Sequence, residues 1–293
     1  MDKTFSFLFE TYLEVKKEEI RQISYNNIKY AYTGIYKPIF KNTLIDDIKM
    51  LDIQKVFINK KRIKSGSRKE YLSILSSFFK WCVDCEIAQK NPVSKIKVRN
   101  VVRKEGIALS ANQARSLIRL AKNDLNKKLY PFVVFALHTG LRKRSILNLQ
   151  PEHIKNDIIT IPAKFSKSKR PIVIPLHPSL RSFVSELPLN LNVSTLTTSF
   201  YRIRSKFEVP TITIHSLRHS VGTFLAAKCS ISVTAAILGH KPDSSVTSLY
   251  IHINMEQMRS AILKLPEIID VDEKFPVPKP RLNKISRFSQ NIL

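Results

Sequence analysis

Residues 215–219 read His215-Ser216-Leu217-Arg218-His219, and the reading of this stretch decides the rest. On a helix, positions three and four apart share a face, so His215, Arg218 and His219 project together. A zinc site would need a third ligand, usually acidic, and the segment offers none.

Upstream, Thr139-Gly140-Leu141-Arg142 ends an apolar helical run at a glycine suited to the left-handed position after a helix. Arg142 then falls in the first turn of the next helix, where free N–H groups and a guanidinium together can clamp a phosphate. From this stretch alone, a solvated arginine at a helix start reads equally well. Downstream, Ala235-Ala236-Ile237-Leu238-Gly239-His240 again ends a helix on glycine with a polar residue at once behind it, and Tyr250 follows within Leu249-Tyr250-Ile251-His252. Singly, His240 reads as a structural histidine and Tyr250 as a half-buried tyrosine. Cys82 and Cys85 form one C-x-x-C on an apolar helical pattern with no second pair, which reads as buried thiols.

The chain has 293 residues, of which 43% are hydrophobic and 25% charged, enough for a real core. Lys and Arg number 49 against 23 Asp and Glu, a net charge of +26 that points to a polyanionic partner. Residues 1–100 hold 20 basic and 11 acidic side chains and residues 101–293 hold 29 and 12, so the excess is not a basic tail. No apolar run approaches the roughly 18 to 20 residues that span a bilayer. The opening MDKTFSFLFE does not read as a signal peptide. Three cysteines imply no disulfide framework, and a reducing cytoplasm is the default.

Residues 1–95 read as a helical domain, with Phe5, Leu8, Phe9, Tyr12 and Leu13, and later Tyr71, Leu72, Ile74, Leu75, Phe78, Phe79 and Cys82, at helical spacing. Ser65-Gly66-Ser67 reads as a break and cap before the second set, and Asn91-Pro92 closes the segment. Residues 96–106 read as a basic linker. Ser110 and Gln113 then form a capping box opening a mixed domain over 107–265. Helices are expected at 111–122, 130–138, 142–149, 195–207, 216–228, 231–238 and 254–264, with a hairpin from Ile158–Pro162 and Pro171–Leu176. Residues 266–293, with Pro266, Pro276, Pro278 and Pro280, read as a tail, ordered only where it docks.

Arg142, then His215-x-x-Arg218, then Leu-Gly-His240, then Tyr250, in this order and with these neighbours, resembles the tyrosine recombinase (phage integrase) family. The resemblance runs over about 105–265, and the N-terminal segment is similar to that family's SAM-like core-binding domain. It implies a mainly α fold with a small antiparallel β-sheet. It also implies a catalytic lysine on the β-turn before Ile172-Val173-Ile174-Pro175-Leu176: Lys167 matches best, with Lys164 and Lys169 as alternatives.

What the resemblance implies chemically is attack of Tyr250 on a DNA phosphodiester, giving a 3′-phosphotyrosyl enzyme and a free 5′-hydroxyl. Arg142, Arg218 and His240 would stabilise the phosphate, His215 would be the general base, and Lys167 the general acid. No cofactor and no metal are expected. The implied partners are double-stranded DNA and a homotetramer on paired sites, with room for an accessory DNA-bending protein. Lys64, Arg68, Lys69, Lys169, Arg170, Arg202 and Arg204 are the candidate phosphate contacts, with Lys60, Lys61 and Arg62 in the same dense cluster. The sequence departs from the family twice. Ser145 stands where an acid is usual, with Glu152 or Asp243 as substitutes, and Tyr250 lies one residue further from His240 than is common. A type IB topoisomerase, or a DNA-binding protein of this fold that has lost its chemistry, are the rival readings.

Overall fold

A computed structural model describes residues 2–59, 63–97, 106–165, 170–239 and 254–269. The chain divides into two compact units, Met1–Lys104 and Glu105–Leu293. It is mainly α-helical with one small antiparallel sheet. Among the described residues no helix is long and apolar enough to cross a membrane.

The first unit contains α1 (Phe5–Glu19), α2 (Gln22–Ala31), α3 (Lys37–Phe40), α4 (Met50–Asn59) and α5 (Ser65–Asp84), with a π-helical turn at Tyr32–Tyr36. Its core is aromatic. Phe9 of α1 stacks on Tyr32 at 4.7 Å between ring centroids and meets Phe78 of α5 at 4.4 Å. Burying each such ring contributes about 1.5–3 kcal/mol, so these contacts tie α1, the π-helical turn and α5 together. Glu10 holds the rim, accepting from the Tyr32 hydroxyl at 2.7 Å and from Lys37 Nζ at 2.8 Å.

Three local expectations need correcting. Ser65-Gly66-Ser67 is not a break: α5 starts at Ser65, and Lys64 caps it with no side-chain hydrogen bond. Cys82 is buried, its thiol pushed up to about 12 by desolvation, but Cys85 lies just past the last turn of α5 and is exposed. Asn91 closes the segment through its side chain rather than through Pro92 alone. Its Nδ2 donates to the Ser76 carbonyl at 2.9 Å, and its Oδ1 accepts the Val93 N–H at 2.9 Å.

The second unit is built around α7 (Leu129–Thr139), in which all eleven residues are buried. A helix apolar on every face must sit at the centre. On it pack α6 (Ala111–Lys122), α8 (Lys143–Leu147), α9 (Val193–Arg204) and α10 (Ile214–Ala226), while α11 (Ile231–Ile237) and α12 (Met255–Ile262) form a second apolar cluster with α10. The capping box of α6 is present, with the Gln113 N–H on Ser110 Oγ at 3.2 Å and the Ser110 N–H on Gln113 Oε1 at 2.9 Å. Within α7, His138 donates Nδ1–H to the Val134 carbonyl at 2.8 Å, and burial pushes its pKa down to about 3, so it stays a neutral core residue.

The sheet has three strands, in the order β1 (Ile154–Lys155), β2 (Ile158–Ile161) and β3 (Ile172–Pro175). The expected hairpin is β2 with β3, in the register Ile159 opposite Ile174 and Ile161 opposite Ile172, and all four of these side chains are buried. β1 is an addition to the expected pair. It is joined to β2 through Asn156 and Asp157, at φ 51° and 56°, residue types that tolerate the left-handed region a two-residue hairpin turn requires.

Part of the expected tail is docked. Ile268 is 2% exposed in the main core, and Arg115 of α6 donates from Nε and Nη2 to the Glu267 carbonyl at 3.1 and 2.8 Å.

Gly140 ends α7 at φ 61°, where a Cβ would stand 2.6 Å from Leu238 Cδ2. Gly140→Ala combines left-handed strain with a core clash and is expected to cost at least about 2 kcal/mol. Gly66→Ala, in the first turn of α5 with nothing within 4 Å, is expected to stabilise by roughly 0.4–1 kcal/mol. Urea unfolding of both variants checks the contrast; equal effects would contradict it.

Candidate active site

The site is assembled at two helix ends. Gly140 closes α7 in the left-handed conformation, and Thr139 braces the turn, donating to the Phe135 carbonyl at 2.6 Å and accepting the Leu141 N–H at 3.2 Å. Arg142 follows as the N-cap of α8, one position earlier than its expected place inside the helix. That helix is five residues long, so the guanidinium rather than a long helix start supplies the charge. Arg142 is half-buried, and its Nη1 is buried with no hydrogen-bond partner among the described residues.

The second helix end is that of α11. Leu238 caps it, and Gly239 follows at φ 61° with its Cα against the Ile172 side chain, where a Cβ would come within 3.1 Å of Cδ1. Ile172 opens β3, directly after the hairpin connection.

Arg218 of α10 joins the two ends. It is 5% exposed, and it donates from Nη1 to the Gly140 carbonyl at 2.8 Å and from Nη2 to the Leu238 carbonyl at 2.6 Å. Two of its five N–H donors are used in this way. Burial first, and the nearby Arg142 cation second, push its pKa down to about 10, which leaves it charged at neutral pH. His215, one turn earlier, is exposed. Desolvation of the covered part of its ring, then the charges of Arg218 and Arg142, then His219, hold its pKa below the usual histidine value. His219 is exposed beside it, with Gly106 against its ring.

The structure thus brings together Arg142, His215 and Arg218, with Gly239, the residue before His240, at the end of α11. Lys167, Lys169, His240 and Tyr250 lie outside the described residues. Ser145 is buried at 2% exposure, Glu152 is exposed on the turn Pro151–His153, and Asp243 lies outside the described residues. Lys164 sits with its Nζ 5.0 Å from the Phe165 ring centroid. Among the described residues no group of three or more His, Cys, Asp or Glu stands where it could hold a metal ion.

Of the expected phosphate contacts, Lys64, Lys69 and Arg170 are exposed. Arg202 has another task. It grips Asp124 with Nε to Oδ2 at 2.7 Å and Nη2 to Oδ1 at 2.6 Å, tying α9 to the end of α6. Arg68 turns inward, donating Nη2 to the Phe57 carbonyl at 3.1 Å. Arg204 lies 4.0 Å from the centroid of the Tyr201 ring, with Nη1 3.3 Å from the Ile212 carbonyl. The Gly140 and Leu238 carbonyls are the partners that sequence reasoning misses, because a side-chain motif does not display backbone acceptors. The signal available is the pair of glycine-terminated helices.

Arg218→Lys puts the organisation to a direct test. An ammonium cannot present a planar fork to two carbonyls, so one helix end loses its partner. The substitution is expected to cost about 2–4 kcal/mol, read as a lowered melting temperature. A variant melting with the wild type would refute the bridging role.

Known proteins share the fold and match the chain in sequence. A family profile described as the phage integrase N-terminal SAM-like domain matches residues 4–76, and one described as the phage integrase family matches residues 182–257. A tyrosine recombinase of Pseudothermotoga lettingae is 24% identical over 276 residues, covering 84% of this chain and 94% of that protein. The lambda integrase fragment 75–356, solved as a dimer bound to a COC′ core site, superposes with a TM-score of 0.70 at 19% identity, covering 82% of this chain and 96% of that one. Lambda integrase solved as a tetramer bound to a Holliday junction gives 0.69 at 18% identity, covering 83% and 76%. With the fold, the convergence of Arg142, His215 and Arg218 and these matches in agreement, the chain belongs to the tyrosine recombinase (phage integrase) family of DNA strand-transferring enzymes.

Proposed function

We propose that this protein is a site-specific DNA recombinase that cuts and rejoins strands through Tyr250. The observation carrying the reading is the buried Nη1 of Arg142, which has no hydrogen-bond partner among the described residues, close to the buried cation of Arg218. A guanidinium N–H without an acceptor in a protein interior costs about 1–3 kcal/mol, and a phosphate oxygen removes that cost.

The phenol oxygen of Tyr250 attacks phosphorus, and the bond from phosphorus to the 5′-oxygen breaks. The phenol proton passes to His215, and Lys167 gives a proton to the leaving 5′-oxygen. Arg142 and Arg218, with a hydrogen bond from His240, stabilise the non-bridging oxygens, each preorganised donor contributing on the order of 10²–10³ in rate. The phosphotyrosyl ester retains the energy of the bond it replaces, so rejoining needs no nucleotide. Lambda integrase forms a tetramer on a Holliday junction, and the same assembly on paired duplex sites, in the cytoplasm, is proposed for this chain.

The test is a suicide substrate: nicked duplexes covering the DNA that flanks the protein's own coding segment. Wild type is expected to give a slow-migrating covalent adduct and Tyr250→Phe none; an adduct in both would assign another nucleophile. The base must be neutral to act, and His215 is held below the usual histidine value, so adduct formation should fall on acidification at a lower pH than an unshifted histidine would give. Relaxation of plasmids without paired sites would instead indicate a type IB topoisomerase.

DNA affinity supplies a separate check. Lys64 and Lys69 are exposed and flank the inward-turned Arg68. Replacing both by alanine is expected to flatten the slope of log affinity against log salt by about 0.9 for each phosphate that is no longer neutralised. An unchanged slope would remove them from the interface.

A further inference from the structure

The strand-transfer reading of α10 uses His215 and Arg218 and leaves the residues just behind them unexplained. Ser220 is fully buried, and its Oγ does two things. It donates its proton to the Ser216 carbonyl at 2.8 Å, one turn back, and accepts the backbone N–H of Leu109 at 2.8 Å. Leu109 is itself buried and immediately precedes the Ser110 cap of α6, so its N–H has no water to turn to. Three residues earlier, Gly106 lies flat on His219. A Cβ there would come within 2.8 Å of ring atoms Cδ2 and Nε2.

Residues 106 and 109 are therefore pinned to α10 at two consecutive positions, His219 and Ser220, directly after Arg218. A serine in mid-helix that bonds its own i−4 carbonyl weakens helices slightly, so its place here calls for a compensating role. The compensation is the Leu109 N–H. The seat fixes what lies over His219, and His219 is one of the charges that act on His215.

We propose that Ser220 is a positioning residue for the strand-transfer site: it seats residues 106–109 on α10 and so holds the His219 ring and the helix face that carries His215 and Arg218. The inference rests on the assignment of that face to strand transfer, and it adds a requirement outside the motif residues. Gly106 is the second half of the seat.

The full-length wild type, Ser220→Ala, Ser220→Thr and Gly106→Ala are compared on the nicked duplexes described above, together with the histidine-ring NMR signals of the free proteins. Ser220→Ala is expected to form adduct roughly 10- to 100-fold more slowly, as small misplacements of catalytic groups do, with duplex affinity within about twofold of wild type. The His215 and His219 signals are expected to move. Ser220→Thr, which keeps the hydroxyl, should recover most of the rate. Gly106→Ala leaves the core untouched and should reproduce the slow adduct formation and the shifted His219 signal, which guards against a Ser220 variant that merely folds poorly. Wild-type rates in Ser220→Ala, or a loss of rate, affinity and melting temperature together with unmoved imidazole signals, would overturn the proposal. If wild type gives no adduct on any duplex, the strand-transfer reading has failed. The NMR arm still decides the seat: unmoved signals in Ser220→Ala and Gly106→Ala overturn it, and shifted ones support it.

Discussion

The second unit depends on one buried cation bridging two helix ends. Arg218 at 5% exposure would be costly on its own, since desolvating a guanidinium takes several kcal/mol. The cost is offset because both of its partners are carbonyls at helix C-termini, where the last C=O groups lack intrahelical donors and the helix dipole is negative. Gly140 stands at the end of α7 and Leu238 at the end of α11, so a single side chain satisfies an acceptor on each. The residue after Gly239 is His240, and two residues after Gly140 comes Arg142. Bridging the two carbonyls thus fixes the chain as it leaves α7 toward Arg142 and the end of α11, up to Gly239.

The glycines belong to the same constraint. Both Gly140 and Gly239 sit at φ 61°. In each case a Cβ would enter the packing: against Leu238 and Val221 in one, against Ile172 in the other. The left-handed turn and the close approach are one requirement seen twice. The backbone must fold back sharply enough to aim a carbonyl at Arg218 while the next helix or strand packs over it. Gly222 on α10 serves the same junction, with a Cβ there 3.2 Å from Leu238 Cδ1.

How much of this the sequence displays depends on whether the physics is local. The capping box at Ser110 and Gln113, the glycine stops and the alternation of Ile159, Ile161, Ile172 and Ile174 all appear in short windows, and all are present in the structure. The features that stay hidden are non-local or too brief. Arg202 looks like one more basic side chain on a surface helix until Asp124, 78 residues earlier, is brought beside it. β1 has two residues, too few for any period, and exists because the Asn156-Asp157 turn lays it along β2. Cys85 reads as buried only if the apolar helical pattern is carried one residue past the true end of α5. In the site, the side chains of Arg142, His215 and Arg218 can be read as a motif. Their backbone partners and the Ser220 seat cannot, since any residue type carries a carbonyl and serines are common in helices.

The replacement of the usual acid by Ser145 acquires a meaning in this setting. Ser145 is buried in α8, one turn from Arg142, and brings no negative charge to that guanidinium. The cations of Arg142 and Arg218 therefore act on one another with no carboxylate supplied from that position, and the charge of Arg142 contributes to lowering the pKa of Arg218. Mutual repulsion of the two cations, and a buried Nη1 of Arg142 with no acceptor among the described residues, both make this junction a favourable place for negative charge. An anion bound between the two cations relieves both at once, and one carrying more charge on its oxygens relieves them further. Under the proposed strand transfer, the pentacoordinate phosphorane would carry more oxygen charge than the resting phosphodiester, and two adjacent cations would favour it.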